Sequence, residues 1–151
     1  STRKESSAAS DVYKRQLLLL MPERKIAEEE VQTFAKSLES QLQAMTAEYQ
    51  QSVQEYQANE ATYTDLVKQD KVTEITGLEQ RIQSFQQNAQ QALQSKEQEL
   101  LEPILQKARQ AIEDVASEGD YTYIFDKSVG SILYVKESEN ILDKVKKKLK
   151  L

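Results

Sequence analysis

The sequence predicts a mainly α protein with a small β part: a long antiparallel coiled-coil helical hairpin, tentacle-like, on a small sheet. Three observations predict it. Only 3 Gly and 2 Pro occur in 151 residues, so turns are few and elements long. Apolar side chains recur with a seven-residue period along most of the chain. Near residue 120 that period gives way to a period of two, the mark of strands.

The first element is an absence. Residues 1–16 begin without Met, and "SSAASDVYKRQ" follows neither a helical nor a strand period. They read as tag, linker or adapter read-through, a non-native-looking or disordered lead. They are polar throughout and hold no apolar segment of the kind a signal peptide needs. The apolar run that follows, 17–21, is five residues long, far short of the roughly 18 that a membrane span requires.

Residues 17–118 are predicted to form the helical hairpin. Pro22 suits a first helical turn, where its missing N–H costs nothing. One seam series is Val31, Leu38, Met45, Ser52, Asn59 and Leu66. Its companion is Ala35, Leu42, Tyr49, Tyr56 and Tyr63. A strict heptad repeat imposes a left-handed supercoil on a partner helix. With Ser52 and Asn59 among three tyrosines, the seam weakens toward its far end, which predicts a loosely packed tip. The chain reverses somewhere in 61–77, where "ATYTDLV" and "DKVTEITG" are both candidates.

The returning helix alternates Ile75, Ile82 and Ala89 with Leu78, Phe85 and Ala92. Its phase slips between Leu93 and Leu101, then resumes as Leu101, Ile104, Ala108, Ala111, Ile112 and Val115. Pro103, within the slip, predicts a kink. Gly119 is expected to end the helix in the left-handed cap position.

Residues 119–151 read as a β-hairpin plus a C-terminal helix. Tyr121, Tyr123 and Phe125 share one strand face, against Thr122, Ile124 and Asp126. After "DKSVG", Ser131, Leu133 and Val135 oppose Ile132 and Tyr134. Ser138 is expected to cap a last helix striped by Ile141, Leu142, Val145 and Leu149. Two strands with apolar residues on both faces cannot stand alone in water. This part is therefore expected to be an oligomerisation body, with Tyr121, Tyr123, Phe125, Ile132, Leu133 and Tyr134 as its contact residues.

Composition narrows the function. Without His or Cys the common triads, thiol nucleophiles and imidazole metal sites are excluded. The sequence predicts no enzyme, no cofactor and no metal. Glu28, Glu29 and Glu30 read as complement to a helix dipole, and Asp114 with Glu118 as solvated surface. A formal charge of −5 argues against nucleic acid as partner. The lysines from Lys144 to Lys150 could meet phosphate or anionic lipid, but fit better as complement to the negative end of the last helix. Tyr49, Tyr56, Tyr63 and Leu66 are seam residues and also the candidate client-binding site. Tyrosine offers apolar area with a hydrogen-bonding end, suited to weak binding of many sequences.

The segments "LLLLMPERKIAEEEVQTF", "EQRIQSFQQNAQQALQSKEQELLEPILQKARQAIEDVASEGDYTYIFD" and "ILDKVKKKL" resemble the Skp/OmpH periplasmic chaperones, closest to their acidic, Gln-rich Bacteroidetes-like branch. The resemblance covers about 17–151. It implies a homotrimer whose sheet is completed by sister copies. It also implies a periplasmic, ATP-independent holdase that shelters unfolded outer-membrane β-barrel proteins between its tentacles. The family's first strand should precede Leu17; the lead stands in its place, so that strand and the signal peptide are expected to be missing. Basic tentacles are not implied, because this chain is acidic. The rival reading is a structural coiled-coil spacer or scaffold of the envelope.

Overall fold

The computed structural model describes residues 9–12, 14–121, 123–127 and 140–151. In chain order the elements are β1 (Ala9–Val12), α1 (Lys14–Leu20), α2 (Pro22–Asn59), a 3-10 turn (Glu60–Thr62), α3 (Asp65–Glu118), β2 (Tyr123–Asp126) and α4 (Leu142–Leu149). The mainly α architecture and its long helical hairpin are as the sequence predicts. The chain divides into two compact units, Glu29–Glu97 and the remainder, Ser1–Glu28 with Gln98–Leu151.

The unit Glu29–Glu97 is the two-helix coil. On α2 the half-buried positions include Val31, Ala35, Leu38, Leu42, Met45, Tyr49, Ser52 and Tyr56, stepping alternately by four and three. On α3 they include Lys68, Lys71, Ile75, Leu78, Ile82, Phe85, Ala89 and Ala92, in the same rhythm. Of all these only Leu78 is buried, at 6% exposure. Within this unit each seam side chain has one helix to pack on, so its other flank stays wet.

The reversal occupies the first of the two candidate segments. The Asn59 side chain donates to Glu55 O (2.8 Å), Thr62 Oγ1 donates to Asn59 O (2.7 Å), and Tyr63 N–H donates to Glu60 O (3.2 Å). Thr64 Oγ1 accepts from Val67 N–H at 3.3 Å and so caps α3. Two seam assignments are corrected as a result. Asn59 closes α2 and is exposed, and Leu66 lies in the first turn of α3. Heptad counting continued the first helix through a segment whose side chains bond to their own backbone and stop it. The second candidate, "DKVTEITG", is helical throughout.

Beyond Ala92 the covered positions step by four, through Lys96, Leu100, Ile104 and Ala108, before Ala111 and Val115. Such spacing unwinds a left-handed supercoil locally. Leu101, placed on the resumed seam by the heptad count, is 43% exposed, and Leu100 takes the inward position. α3 runs unbroken through Pro103.

The second unit holds the core. Leu17 and Met21 meet Ile104, Ala108, Ala111 and Val115 of α3 and Ile141, Leu142 and Val145 at the last helix. Leu17, Ile141 and Val145 are fully buried, each worth roughly 1.5–3 kcal/mol relative to exposure.

The lead is the main correction here. Residues 9–12 form β1, which pairs in parallel with β2 from Ala9 opposite Tyr123 to Val12 opposite Asp126. Helix α1 also starts inside the supposed lead, at Lys14. The first strand is present; "ASDV" is too short and too polar to show a period. Its partner is more than a hundred residues away, and parallel pairing needs a long crossover, which the helices provide.

Gly119 is not the left-handed residue at the end of α3; Asp120 is, at φ 55°. Asp120 N–H bonds to Ser117 O (3.4 Å) and Tyr121 N–H to Ala116 O (3.0 Å), a Schellman closure centred one residue later than expected. Gly119 is required for another reason: a Cβ there would meet the Tyr121 ring, with Cδ2 at 2.7 Å. The second strand expected at 131–135, with Ile132, Leu133 and Tyr134, lies outside the described residues, as does Ser138. α4 begins at Leu142, with Ile141 as its N-cap, and Asn140 Oδ1 accepts from Leu142 N–H at 2.9 Å.

Candidate binding surfaces

At the hairpin reversal, Tyr56 and Tyr63 stack at a tilt, ring centroids 6.0 Å apart with planes at 46°. Tyr49 lies one heptad below Tyr56 on the same helix. All three are half-buried. Leu66 is 69% exposed. The structure thus places Tyr49 and Tyr56 along the seam, Tyr63 in the reversal beside Tyr56, and Leu66 outside the seam, at the start of α3. Val67 (37%) and Val72 (49%) are exposed beside it and were missed from sequence. Counting back from Ile75 in the α3 phase puts Lys71 and Lys68 on the seam and leaves both valines outside, but that phase needs the reversal to be located first.

The expected assembly residues separate into two kinds. Tyr123 (62% exposed) and Phe125 (47%) form one open face of β2, ring centroids 6.4 Å apart at 34°. Ile124, on the opposite face, packs on the core. Tyr121 lies outside the strand, against its own chain's core. Its hydroxyl accepts from Lys144 Nζ at 3.2 Å, and that ammonium is 5.5 Å from the ring centroid. Leu19 (58%) and Leu20 (51%) of α1 are further exposed apolar side chains that the sequence does not single out. Four successive leucines on a short helix cannot all face inward.

Two ion pairs tie elements of this unit together. Lys107 of α3 donates to Glu23 in the first turn of α2, and this bond holds the Glu23 carboxyl below its usual pKa. Lys148 of α4 donates to Glu118 at the end of α3, which raises the Lys148 pKa. Lys144, Lys147 and Lys148, with Val115, Glu118 and Gly119, border a groove of about 400 Å³. Lys144 and Lys148 are thus engaged within the chain, on Tyr121 and Glu118.

Charge is unevenly spread. The unit Glu29–Glu97 carries 11 acidic and 5 basic residues, net −6, while the remainder is close to neutral. Among the described residues no group of acidic side chains is spaced for a metal ion, and no helix is long and apolar enough to cross a membrane.

A two-helix arm with a half-covered seam, and apolar side chains left open at its reversal, defines the class: a helical-hairpin protein. The chain belongs to the OmpH-like outer membrane protein family, whose sequence model matches residues 12–149. Its fold is similar to a crystal structure from Caulobacter crescentus CB15 described as an outer membrane chaperone (OmpH-like). The TM-score is 0.79 at 14% identity, over 93% of this chain and 82% of that one. No curated protein matches the chain.

Proposed function

We propose that the chain is an ATP-independent holdase that keeps unfolded outer-membrane and other envelope proteins from aggregating. The observation that carries this reading is the half-covered seam of Tyr49 and Tyr56, with Tyr63 beside Tyr56, ending in exposed Leu66, Val67 and Val72. Half-buried side chains present apolar area without unfolding the arm. Each such contact is weak, and several on one client add through effective concentration. Weak contacts also release without an energy source. A client held apart from its fellows cannot pair strand edges with them.

The working form in this proposal is a homotrimer, with clients held between hairpins. Support comes from the open Tyr123–Phe125 face and from a sheet that has two strands among the described residues. Association would cover that face and its edges.

The test is turbidity of a transmembrane β-barrel protein diluted from urea, with and without this chain, alongside sedimentation of the chain alone. Suppression near one trimer per client is the expected outcome. No suppression at molar excess would favour a structural spacer instead.

A further inference from the structure

Residues 83–95 of α3 contain no charged side chain, yet six are glutamine, one is asparagine and two are serine. A solvated helix face is ordinarily dressed with ions in i,i+4 or i,i+3 pairs. This chain does so elsewhere, with Arg24–Glu28 at 3.0 Å and Lys71–Glu74 at 3.6 Å. Here Gln80, Gln83, Gln87, Gln90 and Gln94 recur by three and four in the seam's own rhythm, and all five are exposed. Gln87 stands two residues from both Phe85 and Ala89, about 160° around the helix from each, so the row lies on the side away from the seam. Gln51, Asn59 and Gln110 spend their amides on Glu55 or Asp114 of their own helix. Among the described residues the five stripe amides have no intrachain partner.

A primary amide carries one carbonyl acceptor and an N–H donor, the same pair as a peptide group. The stripe covers roughly 21 Å along the helix, about the length of six residues of extended chain. Resting on the holdase reading above, we propose that these five glutamines bind the backbone N–H and C=O groups of an extended, unfolded polypeptide. The peptide group is the one feature all unfolded clients share. An arm of net −6 that read clients by charge would favour basic segments; a neutral amide row selects for neither sign. Long glutamine side chains lose rotamer freedom on binding, which keeps each contact weak.

The test uses the full chain with all five positions changed Gln→Ala, substitutions that favour the helix. The probe is a urea-unfolded, fluorophore-labelled transmembrane β-barrel protein. The expected result is about tenfold weaker binding, or about 1.4 kcal/mol across five amides, with unchanged helicity and sedimentation. Wild-type affinity should change less than about twofold between about 50 and about 500 mM salt. A client-derived strand peptide should compete, and the same peptide methylated on alternate backbone nitrogens should not. Equal affinity of the variant, steep salt dependence, or equal competition by the methylated peptide each overturns the assignment while leaving the holdase intact. A variant that changes its association state instead assigns the stripe to a second copy, and also overturns it. If the wild type binds no unfolded probe at all, the holdase reading falls and the stripe falls with it.

Discussion

Gly119→Ala distinguishes two explanations of one glycine. If Gly119 supplied a left-handed cap, alanine would cost about 1 kcal/mol whatever its neighbours. The structure gives the left-handed angle to Asp120 and sets the Tyr121 ring against the Gly119 Cα. A methyl group there meets ring carbon Cδ2 at 2.7 Å and Val115 O at 3.1 Å. The oxygen need give only slightly, but the ring packs on the core and its hydroxyl accepts from Lys144, so moving it breaks contacts. Such overpacking costs about 1–3 kcal/mol, and we expect about 2. Urea unfolding at fixed protein concentration measures it, as a lower midpoint with an unchanged slope. The decisive measurement is the cycle with Tyr121→Ala. In that background Gly119→Ala should cost at least about 1 kcal/mol less, because only the milder contact with Val115 O remains. Asp120→Gly should stabilise by up to about 1 kcal/mol, since it removes both a strained φ and a negative charge at a helix C-terminus. An equal cost of Gly119→Ala with and without the tyrosine would refute the reasoning.

Gly77 lies in the interior of α3, roughly three turns from its start, and a methyl group added there would have nothing within 4 Å, so Gly77→Ala should raise stability by about 1 kcal/mol in the same urea assay. Leu17→Ala removes a fully buried side chain from the core and should cost about 2–5 kcal/mol, visible as a lower thermal midpoint. Glu23→Gln tests the pair with Lys107. Because the folded carboxyl titrates below 4.5, the pair stabilises above that pH, and the benefit is lost as pH falls through the lowered value. Both partners are well exposed, so the neutral-pH difference between wild type and variant should stay under about 1 kcal/mol, shrink with salt, and vanish in acid.

The hairpin was legible because two helices that bury one seam each write it at a fixed period. From Val31 to Tyr56 and from Ile75 to Ala92 every heptad position is half-buried, or buried at Leu78. The count failed where other forces set the chain. At Asn59 and Thr62 side-chain bonds to the backbone stop a helix that the period would continue. At Leu100 and Leu101 the step by four moves the inward position by one residue. At Gly119 a glycine beside a helix end suggested the familiar cap, whereas the reason for it is an aromatic ring two residues on. β1 had no local signal at all: its four residues are a strand because β2 is there to pair with, and no window of the sequence contains both.

The candidate surfaces were legible to the extent that exposure follows from phase. Tyr49 and Tyr56 could be assigned to the seam, but not their half-burial, which depends on there being one neighbouring helix in the unit. Val67 and Val72 stayed hidden until the reversal fixed the phase of α3. Tyr121 and Tyr123 show the limit best. Both belong to one period-two run, yet the Schellman closure at Asp120 leaves Tyr121 outside the strand and turned onto its own core, while Tyr123 faces outward. One left-handed residue thus decides which aromatic side chain serves the fold and which is left available to a partner, and that residue is an aspartate, not the glycine beside it.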